Sequence, residues 1–192
     1  MKSVLAAVIC LHVCIATAQS LERDSPLCEP QLMAQAREGT ERGDAKQTYL
    51  LARYLSTGKC VRGDGKQAIQ LYVQAETLGY PPASYNLGIV SAANQDFPSA
   101  EGHFALGASR GHRGCEFQLA ILYSLVAPPV GDNRKAYAWL LLTESRHEPI
   151  SAEAVEQLAR VRPKLSEKER TQAEALSAKL AADFGGVRPF EP

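Results

Sequence analysis

The chain has 192 residues, with 21 basic and 21 acidic side chains and no net charge at neutral pH. A balanced charge without a basic stripe argues against a nucleic-acid partner, and no large charged block is present to hold a membrane surface. Five cysteines are too few for a disulfide-framed miniprotein, and the length suits one domain with a real core.

The first segment reads Met1-Lys2-Ser3, an apolar run to Ala16, then Ala16-Thr17-Ala18 before Gln19. A basic start, a short apolar stretch and a small-x-small site predict a secretory signal peptide over residues 1–18. Cleavage removes Lys2 and leaves the remainder about one unit negative, with no stable membrane span. The expected location is therefore periplasmic or secreted. Residues 19–29 read as a linker. Cys28, Cys60 and Cys115 survive cleavage. In an oxidising compartment Cys28 and Cys60, both in loop-like surroundings, can pair and tie the linker to the first hairpin, or can remain two thiols. Cys115 reads as a buried apolar residue.

From residue 30 to 148 the chain predicts a helical solenoid. A short helix, Gln31 to Arg37, comes first and acts as an N-terminal cap. Three segments then repeat in register. Gly43-x3-Gln47-x-Tyr49-x-Leu51-Ala52 is followed by Gly79-x3-Ala83-x-Tyr85-x-Leu87-Gly88 and by Gly111-x3-Cys115-x-Phe117-x-Leu119-Ala120. The offsets of 36 and 32 residues mark stacked helical hairpins. Each unit carries a second helix. Its apolar faces are Ala68, Leu71, Tyr72 and Ala75; Ala100, His103, Phe104 and Ala108; and Ala136, Trp139, Leu140 and Thr143. The turns carry Gly58 and Gly63-Asp64-Gly65, then Asn94-Gln95-Asp96, then Gly131-Asp132. These supply left-handed caps and side-chain acceptors for the next helix.

These motifs resemble the Sel1-like repeat family, whose pattern is roughly A-x3-L-G-x2-Y-x2-G, a short loop, then K-A-x2-W/Y. Ala83-x3-Leu87-Gly88, Leu119-Ala120-x2-Tyr123, Lys66-Gln67-Ala68 with Tyr72, and Lys135-Ala136-Tyr137-Ala138-Trp139 carry the likeness. Gln47, Cys115, Ala93 and His147 depart from it. The resemblance implies an all-α fold, an α-solenoid of about three αα-hairpins used as an adaptor surface, with no conserved chemistry. Residues 149–185 predict two capping helices, Ser151 to Arg162 and Ser166 to Phe184, the second opened by the capping box Ser166-Glu167-Lys168-Glu169. This pair resembles the extension that follows a final Sel1-like repeat. Residues 186–192 form a tail.

Catalytic and metal chemistry is not expected, and no cofactor is implied. His103, His112 and His147 share no zinc spacing with Cys or acids. His103 reads as a core or interface residue. His112 and His147 sit near the ends of second helices, where positive charge suits the helix dipole. Ser56-Thr57-Gly58-Lys59 matches the Ser-x2-Lys string of penicillin-recognising enzymes, but the chain lacks their S-D-N and K-T-G elements. Gly63-Asp64-Gly65-Lys66 lacks the first glycine and the preceding strand of a phosphate loop. The expected function is non-catalytic binding of one protein partner by the free monomer, in a groove lined by the first helices. The other reading is an immunity-type inhibitor of a secreted toxin or envelope hydrolase. Arg53, Asn86 and Gln118 leave the apolar stripe and are the expected contact residues. Tyr49, Tyr85 and Phe117 recur at one position, either as scaffold or as partner anchors.

Overall fold

The computed structural model describes residues 30–58, 61–146, 151–184, 187 and 190. The signal segment, the linker, Cys28, Cys60 and His147 lie outside the described residues. The described residues form nine α-helices and no strand. They are α1 (Pro30–Glu41), α2 (Ala45–Thr57), α3 (Gly65–Thr77), α4 (Pro81–Ala93), α5 (Phe97–Ser109), α6 (Arg113–Leu125), α7 (Asn133–Arg146), α8 (Ala152–Val161) and α9 (Glu167–Phe184). A short 3-10 turn, Arg162–Lys164, follows α8. None of these helices is long and apolar enough to cross a membrane.

Polar caps set the helix starts. Asp44, Asp64 and Asp96 each accept the N–H three residues on, at 3.0, 2.9 and 3.2 Å. Asp132 accepts from the Arg134 N–H at 2.8 Å. Ser166 and Glu169 form the reciprocal capping box, at 2.9 and 3.3 Å. The repeating glycines end the preceding helices. Gly43, Gly79 and Gly111 have φ of 77°, 90° and 83°, a left-handed backbone that side chains resist. In the second unit's own turn the same conformation falls to Gln95, with φ 62°.

Consecutive helices pack on one another from α1 to α8. The pairs α2–α3, α4–α5 and α6–α7 are the three predicted hairpins. The first helix is longer than the sequence predicted, running to Glu41 rather than Arg37. It behaves as the second half of a missing unit. A Cβ at Gly39 would overlap the Gln47 side chain, and one at Gly107 would overlap Cys115 Sγ. Both pairs are eight residues apart, so α1 meets α2 as α5 meets α6. The glycine in α1 makes room for Gln47 at a position that is small in the other units.

The apolar stripes form two buried clusters that meet along α4. One runs from Met33 to Leu87 and the other from Ala92 to Ala173. Ala83, Leu87, Ala100, Phe104, Leu119, Ala136, Trp139 and Leu140 are all buried. The last two helices do not chiefly pack on each other. Both α8 and α9 lie on α7, with α9 making the larger contact. Trp139 of α7 meets the Phe184 ring at 5.9 Å. The exposed side of the last hairpin is thereby covered, which gives this end of the stack its cap.

Candidate functional site

The first helices of the hairpins, α2, α4 and α6, carry the residues expected to meet a partner. Tyr49, Tyr85 and Phe117 are half-buried and pack against the two core clusters. The ring contacts join two of these three, Tyr49 and Tyr85, to rings outside the expected set. Tyr49 meets Tyr72 at 5.8 Å and Tyr80 at 5.0 Å. Tyr85 meets Phe104 at 6.3 Å and His112 at 5.3 Å. Phe190 closes the gap between the two groups, 5.5 Å from Tyr80 and 6.1 Å from His112.

The polar residues differ in their placement. Arg53 is half-buried, with its guanidinium carbon 5.8 Å from the Tyr49 ring centre. Asn86 is also half-buried. Its amide donates to Tyr49 Oη and to the Pro82 carbonyl, both at 3.2 Å. It therefore ties α4 to α2 as well as presenting polar surface. Gln118 is a correction: only 5% of it is exposed. It leaves the apolar stripe of an isolated helix, but α6 is enclosed on more than one side. Glu116 in the same helix is wholly buried for the same reason.

The electrostatics of this region follow from burial. Burial raises the Glu116 carboxyl to about 7, while Arg146 and then Arg113 draw it down. Arg146 Nη1 lies 3.1 Å from Glu116 Oε1 and the arginine side chain is 13% exposed. Burial pushes the Cys115 thiol up, with Glu116 adding to the effect, so the sulfur is a protonated packing group rather than a nucleophile. His112 also corrects its expected role. It caps the N-terminus of α6, its Nδ1 accepting the Cys115 N–H at 3.2 Å. A positive ring would lose that acceptor and oppose the dipole. Burial lowers its pKa to about 4 and keeps it neutral. His103 sits between second helices, its Nδ1 2.9 Å from Glu76 Oε1. No group of three or more His, Cys, Asp or Glu is placed to hold a metal ion among the described residues.

Sequence reasoning missed Tyr80, Arg146, Val187 and Phe190. One signal for the first was available: Asp44, Tyr80 and His112 stand at one repeat position, 36 and 32 residues apart. A capping carboxylate in the first unit becomes a ring in the next two.

The fold defines a class, the α-solenoid of Sel1-like helical hairpins. A Sel1 repeat protein from Oxalobacter formigenes superposes with a TM-score of 0.58 at 19% identity, over 66% of this chain and 96% of that one. A protective antigen present in uropathogenic Escherichia coli strains, described as displaying an SLR fold, matches at a TM-score of 0.42 and 20% identity, over 80% of this chain and 41% of that one. Neither a family model nor a curated protein matches the chain. In fold, then, the chain is a Sel1-like repeat solenoid, as its repeating motifs predict.

Proposed function

We propose that this chain is an exported, non-catalytic interaction module that holds a protein partner along its first-helix surface. The observation that carries this reading is the half-buried row on α2 and α4: Tyr49, Arg53, Tyr85 and Asn86. Aromatic rings fixed at one edge by packing and open at the other are the groups that anchor interfaces. Stacked units sum such contributions over an extended surface. Export rests on the Lys2-to-Ala18 segment, and the Cys28–Cys60 bridge remains part of the same proposal.

The test is partner capture from an envelope extract, compared between the wild type and an Arg53→Ala/Asn86→Ala double variant. The double variant is expected to lose capture at least tenfold. Thermal stability should fall by about 1 kcal/mol, because the Asn86–Tyr49 hydrogen bond is lost as well. Capture at full strength by the double variant would move the binding surface elsewhere. N-terminal sequencing of the secreted protein should begin near Gln19.

A further inference from the structure

Phe190 lies against two rings that stand at repeat-equivalent positions. Asp44, Tyr80 and His112 occupy equivalent positions before α2, α4 and α6. Asp44 caps its helix through its carboxylate. Tyr80 makes no side-chain cap, and α4 starts instead with Pro81 and Pro82. A helix-capping role therefore does not explain a tyrosine there. The ring has another employment: with His112 it forms the two walls of a slot, and the Phe190 ring lies between them. The backbone is held too. The Phe190 N–H donates to the Gly111 carbonyl at 2.9 Å. Gly111 has the left-handed backbone of the repeat turn, with φ 83°.

A second grip lies three residues earlier. Arg146 Nη2 donates to the Val187 carbonyl at 2.9 Å. That guanidinium lies beside the buried Glu116 carboxyl, 3.1 Å away, and 6.0 Å from the Phe184 ring centre. Both main-chain contacts read the backbone of the held segment, and the slot reads one side chain. This is how a surface recognises a non-helical peptide: hydrogen bonds to the main chain give hold, and a pocket for a single residue gives selectivity.

We propose that the slot between Tyr80 and His112, together with Arg146, is a recognition site for a non-helical peptide segment. That segment bears an aromatic side chain three residues after the carbonyl gripped by Arg146. The chain's own Val187 and Phe190 occupy the site and compete with a partner's segment. The proposal deepens the groove reading above and rests on it. A tethered occupant acts at an effective concentration of roughly millimolar, so it masks the site from a dilute peptide until its aromatic residue is removed. Val187 and Phe190 are held by the Arg146 and Gly111 hydrogen bonds and by the Phe190 ring, a set that an incoming segment of the same kind can replace.

The probe is a fluorescein-labelled octapeptide copying residues 185–192, added to the full chain and followed by anisotropy. The Phe190→Ala chain is expected to bind it at least tenfold more tightly than the wild type. A peptide with alanine in place of its phenylalanine should not bind. Adding His112→Asn to the Phe190→Ala chain keeps a capping side chain, removes one wall of the slot and should weaken binding at least fivefold, with the helical circular dichroism spectrum unchanged. Equal binding by the wild-type and Phe190→Ala chains, or equal binding of the alanine peptide, would overturn the proposal. Such a result with partner capture still dependent on Arg53 and Asn86 sinks the tail site alone. Peptide binding as expected, with capture indifferent to those two residues, sinks the wider groove reading instead.

Discussion

His112 holds its helix only while its ring is neutral, and this gives the protein a measurable acid sensitivity. In the unfolded chain the imidazole takes its proton near 6.5, whereas in the fold burial delays this to about 4. Between those values the unfolded state binds more protons, so stability falls as the pH falls. The contribution of His112 is complete above about 6.5 and is lost on the way down to about 4. Glu116 has the opposite sign. Burial lets its carboxyl keep a proton up to about 7 instead of 4.5, so its share is complete below 4.5 and fades as pH rises through 7. The two trends overlap, and only a substitution separates them. His112→Asn keeps a side-chain acceptor for the Cys115 N–H but cannot titrate. Urea unfolding of both proteins from pH 7 to pH 5 should show the variant gaining on the wild type by up to about 2 kcal/mol, at about 1.4 kcal/mol per pH unit. The Glu116 trend is common to both and cancels. A stability difference that does not change with pH would contradict the neutral cap.

Besides Gly39 against Gln47, two further helix contacts leave no room for a methyl group, and they show where the stack is closest. A Cβ at Gly88 would overlap the Phe104 ring, and one at Gly107 would overlap Cys115 Sγ. The first lies within the α4–α5 hairpin and the second joins α5 to α6, so one glycine serves a unit and the other the seam between units. Gly107→Ala replaces a poor helix former with the best one, a gain of about 1 kcal/mol in helix propensity. Overpacking against a fully buried sulfur costs about 1–3 kcal/mol. The net expectation is a lower melting temperature. Adding Cys115→Ala, which vacates the space, should restore most of the loss. A melting temperature raised by Gly107→Ala alone would show that the seam is looser than described. Much at this scale was legible in the sequence, because helix spacing, capping aspartates and turn glycines are local signals. Gly43, Gly79 and Gly111 marked the turns, and the apolar stripes named the core. The extent of α1 was not legible, since Gly39 matters only through Gln47 across the seam. Nor was the burial of Gln118. A polar residue off the apolar stripe reads as surface until a third element covers that side of the helix.

Across the molecule, the arrangement of the last helices decides how the stack is sealed and where a ligand can sit. The sequence predicted a C-terminal pair, but its packing on α7 depends on contacts distant in the chain, as does the return of Phe190 to Gly111. No local pattern carries such information, so the solenoid could be read from the sequence while the aromatic slot could not. The same arrangement divides the core unequally. Trp139 belongs to the cluster that runs from Ala92 to Ala173, and the cluster of Met33 to Leu87 does not include it. In a stacked repeat, stability is roughly a sum of unit and nearest-neighbour terms, so damage should stay near its origin. Trp139→Ala removes a ring that α7 packs against Phe184 and should cost about 3–5 kcal/mol. Hydrogen exchange read by mass spectrometry should then show faster exchange in α6 to α9. Amides in α2 and α3 should keep most of their protection, because their buried neighbours, Leu51, Ala52, Leu55, Leu71, Tyr72 and Ala75, are untouched. A uniform loss of protection from α1 to α9 would mean that the two clusters unfold as one unit, and that the meeting of the cores along α4 couples the ends more strongly than nearest-neighbour packing allows.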